Sequence, residues 1–115
     1  MKKMRLKHKG SFFDIGEVKT LSELGKVIGL MFAPKEKARI LLFKFEKPVR
    51  HALHSFFVFF PFLAIWTDDK NNILEMKIVN PFNPLVKPKK SFYNLVEIPL
   101  NKKYVSLAKS IVAKN

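Results

Sequence analysis

The sequence predicts a mainly β domain with some α+β character. The expected form is an antiparallel β-sandwich or barrel of jelly-roll-like type, with a short helix near residues 21–28 and a C-terminal helix. Three observations lead there. Apolar and polar residues alternate with a period of two along much of the chain. Gly, Pro, Asn and Asp clusters break that pattern at short intervals. Finally, every residue from Phe56 to Trp66 is apolar, with Pro61 in the middle. A helix there is disfavoured, because an interior proline costs about 3 kcal/mol. A bilayer span needs about 20 apolar residues, and this run is bounded by His54 and Asp68. Two buried strands, Ser55–Phe60 and Phe62–Thr67, bent at Pro61, are therefore expected.

The elements follow in order. Met4, Leu6 and His8 alternate with Lys3, Arg5, Lys7 and Lys9, which reads as an edge strand with one inward face and lysines guarding the other. Gly10-Ser11 is a turn, and Phe12–Lys19 is a second strand with Gly16 as a possible bulge. Thr20-Leu21-Ser22-Glu23 has the spacing of a capping box. The helix it opens carries Leu21, Leu24, Val27 and Ile28 on one side and stops at Gly29. Ala38–Glu46 is a third strand, with Leu41, Phe43 and Phe45 on one face. After the apolar run, Asp68–Asn72 forms a hairpin turn into Ile73–Val79, where Leu74, Met76 and Ile78 are expected to face inward. Residues 80–90 hold three prolines and no period, as an extended loop does. Ser91–Ile98 is a final strand with Glu97 on its polar side. Tyr104, Leu107, Ala108 and Ile111 then fall at helical spacing behind Asn101 as cap. No repeat or linker divides residues 1–115, so a single domain is expected.

Composition narrows the function. The chain has no cysteine, which excludes disulfides, thiolate metal sites and cysteine nucleophiles. No apolar h-region follows the basic N-terminus, so no signal peptide is expected, and cytoplasmic is the expected location. The net charge of +13, from 22 Lys and Arg against 9 acids, favours a polyanionic partner such as nucleic acid or anionic lipid headgroups. Lysine predominates over arginine, which argues against sequence-specific readout.

Several stretches occur together in an order that resembles a small prokaryotic family, domain of unknown function 192, and within it the archaeal branch. They are Gly29-Leu30-Met31, Leu41–Phe45, His54–Pro61, Trp66-Thr67-Asp68 with its hairpin, Pro88-Lys89-Lys90, and Val96-Glu97-Ile98-Pro99. The resemblance spans roughly residues 24–99. It implies a mainly β, jelly-roll-like sandwich and no established activity. The chain departs from the family pattern at Leu63, where an acid is usual, and at Leu100-Asn101, where a glycine is common.

No motif dictates a reaction. His51 and His54 would share a face only on a helix, and adjacent Asp68 and Asp69 point apart, so no catalytic, cofactor or metal residues are assigned. A non-enzymatic binding module is expected instead. Its anion-binding candidates are Lys3, Arg5, Lys7, Lys9, Lys35, Lys37, Arg39, Lys87, Lys89 and Lys90. Trp66, Phe82, Phe92 and Tyr93 are the candidates for stacking on bases. Two alternatives are a small-ligand or carbohydrate site in an aromatic pocket, and peripheral membrane attachment through the basic C-terminal helix, with Tyr104, Leu107 and Ile111 inserting.

Overall fold

Apolar–cationic alternation makes Lys2–His8 a strand, β1, with Met4 and Leu6 buried and Lys3, Arg5 and Lys7 beside them exposed. Lys9 and Gly10 both adopt positive φ, 49° and 79°, the geometry that suits a two-residue hairpin. The chain returns as β2, Ser11–Thr20. The bulge expected at Gly16 is present: Met4 pairs with Gly16 and Arg5 with Asp14, which leaves Ile15 as the extra residue. The computed structural model describes residues 2–21 and 29–114. The short helix expected over 21–28 lies outside them, apart from Leu21, whose N–H donates to the Leu42 carbonyl at 3.0 Å.

Strand β3, Leu41–Val49, lies parallel to β2 through Lys19–Leu41 and Thr20–Leu42. Three more strands follow: β4 (Phe62–Thr67), β5 (Ile73–Val79) and β6 (Phe92–Pro99). They complete a six-stranded sheet in the order β1-β2-β3-β6-β4-β5. The sheet curls so that β1 touches the turn before β5, with the Lys7 N–H donating to the Asn71 carbonyl at 2.9 Å beside a parallel bridge from Lys7 to Asn72. The mainly β character expected from the sequence is present, while the antiparallel pairing expected throughout its sandwich or barrel is corrected by the parallel β2–β3 pair. The described strands form one curled mixed sheet, because the long connection after β2 brings β3 back in the same direction.

The curl creates two apolar cores. The inner one gathers Leu6, Val18, Leu42, Leu63, Ile65, Val96 and Ile98, and the C-terminal helix α1, Val105–Val112, closes it with Ala108 and Ile111. Asn101 caps the approach to α1 as expected: its Oδ1 accepts the Tyr104 N–H at 3.1 Å. Its Nδ2 donates to the Lys35 and Ala38 carbonyls at 2.9 and 3.2 Å. Tyr104 and Ile111 are buried against the sheet, so the insertion of those two side chains into lipid is corrected, while Leu107 is half-buried and Val112 is exposed. The outer core packs Leu41, Phe43, Phe62, Trp66, Phe92 and Leu95 under the connecting segments, from which Leu30, Val58, Phe60 and Val86 reach inward.

Two expectations on the apolar stretches change. Ser55–Phe60 is not a strand: the Val58 N–H closes a turn onto the Ser55 carbonyl at 3.1 Å, and Phe57 has φ 59°. Ser55, Val58 and Phe60 are buried there, whereas Phe56, Phe57 and Phe59 are exposed. On β5, the last strand in the sheet order, Leu74 and Ile78 are exposed while Ile73 and Val79 are buried.

Candidate functional site

Strand β6 is central and covered on both sides, so residues of both parities along it are buried. Val96 and Ile98 face the inner core. Leu95 faces the outer one, and Glu97, two residues on, shares its side of the pleat. Its carboxyl group is therefore carried inside the protein, at 5 % exposure.

A pocket of about 360 Å³ opens over this carboxyl group, at the small end of the roughly 300–1,000 Å³ usual for small-molecule sites. Leu30, Phe43, Phe62, Phe92 and Leu95 line it as buried side chains, and Gly29, Met31, Phe45 and the exposed His51, Ala52 and His54 line it nearer the solvent. Gly29 adopts φ 54°, a left-handed backbone that favours glycine, and a Cβ there would lie at ordinary contact distance, 3.5 Å from Phe43 Cζ and 3.8 Å from Glu97 Oε1. The ring of His51 packs edge-on against Phe45 with centroids 5.3 Å apart. His54 Nδ1 accepts the Phe56 N–H at 3.2 Å, which places any proton of the neutral ring on Nε2.

Burial governs the electrostatics. Desolvation pushes the Glu97 carboxyl up to about 8, so at neutral pH it is mostly protonated and able to donate one hydrogen bond and accept another. A strongly perturbed carboxyl in an apolar concavity marks a candidate site on physical grounds. Sequence reasoning placed Glu97 on the polar side of a half-exposed strand. The signal that could have found it was adjacent: Leu95, Val96 and Ile98 are apolar on both parities, the pattern of a strand with no wet face.

All ten anion-binding candidates are exposed, but on separate elements. Lys3, Arg5 and Lys7 lie on β1, where Lys3 is registered opposite Glu17 and Arg5 opposite Asp14, so acids partly offset that row. Arg5 also lies over the Phe12 ring at 5.9 Å. Lys9 sits in the β1–β2 turn and Arg39 just ahead of β3. Lys35 and Lys37 share a single 3-10 turn tied to Asn101. Lys87, Lys89 and Lys90 follow in the loop before β6, where the Lys89 N–H donates to Glu75 Oε1 at 2.8 Å. Cations crowd at a place not foreseen: the charge of Lys44, then burial, lowers the Lys2 pKa.

The stacking candidates divide. Trp66 and Phe92 are each 1 % exposed and belong to the outer core, so their assignment to base stacking is corrected: β4 and β6 have no solvent face on which to display them. Tyr93 is half-buried, and Phe82 is exposed. Among the described residues, no three His, Asp or Glu side chains gather as a metal-ligand set, and no helix is long and apolar enough to cross a membrane.

No protein-family model matches the sequence, and no curated protein is similar to it. Two solved structures share the fold. One is a protein of unknown function from Novosphingobium aromaticivorans, 13 % identical, with a TM-score of 0.68 over 92 % of this chain and 77 % of that one. The other, from Sinorhizobium meliloti, is described as a candidate transcription regulator. It is 15 % identical, with a TM-score of 0.69 over 90 % of this chain and 83 % of that one.

Proposed function

We propose that this protein binds a small, neutral, mainly apolar molecule in the pocket over Glu97, oriented by one hydrogen bond to that carboxyl. The carrying observation is the acid itself, buried and held near 8 in a cavity lined mainly by apolar side chains, with His51 and His54 as its other polar groups. A neutral ligand suits it because a protonated carboxyl adds no charge to the pocket, and a protein of net charge +13 repels organic cations. A carbonyl group would accept from the carboxyl, while the aromatic walls take up the rest of the molecule. The resemblance to domain of unknown function 192 remains our proposal for the chain's family. It is supported by convergence, since Gly29, Leu30, Met31, Phe43, Phe45, His54, Val58 and Glu97, all from the stretches that carry the resemblance, line this pocket. Residence in the cytoplasm is part of the same proposal, supported by the lack of cysteine.

Ligand-observed NMR with neutral aryl ketones such as acetophenone tests the reading. Binding is expected at pH 6, is lost when Ala52→Trp fills the mouth, and weakens above pH 8 in the parent but not in Glu97→Gln. Absence of binding at pH 6, or binding indifferent to Ala52→Trp, would overturn it.

A second reading is weak binding to a polyanion such as nucleic acid. It is favoured by the ten exposed cations and by the description of the Sinorhizobium neighbour as a candidate transcription regulator. Retention on heparin at low salt that disappears at moderate salt supports this reading, and failure to bind at low salt removes it.

A further inference from the structure

Phe32, Phe57 and Phe82 lie on three different connecting segments, yet all adopt left-handed backbone, with φ of 61°, 59° and 60°. Bulky residues rarely do so, and such conformations persist only where the surroundings impose them. Here hydrogen bonds impose them. The Phe32 N–H donates to the Phe57 carbonyl at 2.8 Å, and the Phe82 N–H donates to the Ser55 carbonyl at 2.9 Å. The rings form a continuous outward layer. Phe32 stacks on Phe57 at 5.1 Å, Phe57 meets Phe82 at 6.3 Å, and Phe82 meets Phe59 at 5.3 Å. Exposures run from 47 % to 65 %, so the layer offers on the order of 400 Å² of aromatic surface to solvent.

We propose that this phenylalanine layer is a docking face for anionic lipid membrane. Charge complementarity selects that occupant. Exposed Lys35 and Lys37 follow Phe32 so closely that Lys35 lies within about 11 Å of it along the chain. Exposed Lys87, Lys89 and Lys90 follow Leu85, itself 66 % exposed, after Phe82. A second copy would bring these lysines face to face with their own kind, which disfavours self-association. The layer also lacks the Tyr, Trp and Arg that anchor protein interfaces. Exposed phenylalanine rings with exposed lysines close by in the chain instead match a bilayer surface, where rings enter the interface and ammonium groups meet headgroup phosphates. None of these four rings lines the Glu97 pocket, so this inference stands or falls without that reading.

Co-sedimentation of the full chain with vesicles tests it, using phosphatidylcholine alone or with 30 mol % phosphatidylserine, an amount of about the size needed to give the surface a clear negative potential. Binding is expected only to the anionic vesicles. The triple variant Phe32→Asn, Phe57→Asn, Phe82→Asn keeps residues that accept left-handed backbone and should lose at least about tenfold in partition coefficient. Lys35→Gln with Lys37→Gln should lose about fivefold per lysine. Phe59→Ser, a single change at an exposed position, should lose several-fold and serves if the triple variant fails to fold. The proposal would be overturned by no sedimentation with phosphatidylserine vesicles, by equal sedimentation with phosphatidylcholine alone, or by parent-like binding by the Phe59 variant. A concentration-dependent dimer in sedimentation equilibrium that Phe59→Ser abolishes would likewise overturn it, in favour of self-association.

Discussion

Replacing Glu97 by Gln should make this protein more stable at neutral and alkaline pH, although it alters a buried residue in a central strand. The unfolded chain ionises this carboxyl near 4.5, whereas the folded protein holds it protonated up to about 8. Between those values the unfolded state has released a proton that the folded state retains. Folding stability from this group is therefore greatest below 4.5, falls as pH rises, and levels off above 8. At about 1.4 kcal/mol per pH unit, the loss is about 3 kcal/mol at pH 7 and approaches about 5 kcal/mol at pH 9. Glutamine has nearly the same shape and does not titrate, so Glu97→Gln avoids that loss. Urea unfolding of both proteins at pH 5, 7 and 9 gives the check. The difference in stability should be near its minimum at pH 5 and grow in favour of the variant, reaching about 3 kcal/mol at pH 7. Because both proteins share every other titrating group, the difference isolates this one. A difference that does not change with pH would mean that Glu97 is solvated or already ionised in the folded state, and the pocket reading would lose its foundation.

Ser55 clasps two connecting segments, its Oγ donating to the Asn80 carbonyl and accepting the Asn83 N–H, both at 2.6 Å. Ser55→Ala should cost about 2–3 kcal/mol by leaving both backbone groups unmatched, and an unchanged denaturation midpoint would show that water replaces the hydroxyl. Trp66 is buried with an Nε1–H that has no partner among the described residues. Trp66→Phe should thus stay within about 1 kcal/mol of the parent, while Trp66→Ala should cost about 3–5 kcal/mol; circular dichroism in urea separates the two.

Where local rules and tertiary environment agreed, the sequence was legible. β1 alternated because one of its faces is wet. The Asp68 turn announced itself because Asp68 Oδ1 accepts the Lys70 and Asn72 N–H groups, each at 2.9 Å. The C-terminal helix showed its core-facing stripe. Ser55–Phe60 was illegible because a run of identical apolar character has no period to read, and its course depends on hydrogen bonds to residues 32 and 82, far away in the chain. The parallel placement of β3 depends on the path of the connection between β2 and β3, which alternation does not encode. Of the candidate site, the residues named in advance lie elsewhere apart from Phe92, which lines the pocket as part of its apolar wall. Glu97 was misplaced because alternation assigns a polar residue to water unless both faces of its strand are known to be dry.

Strand β4 sends Leu63 and Ile65 to one interior and Phe62, Ala64 and Trp66 to the other. Each interior thus borrows a wall from the same six residues, and neither can loosen without disturbing its neighbour's lining. Heat or denaturant should consequently dismantle both in one step, with occupancy of the pocket on one side slowing hydrogen exchange of the helix packed on the other.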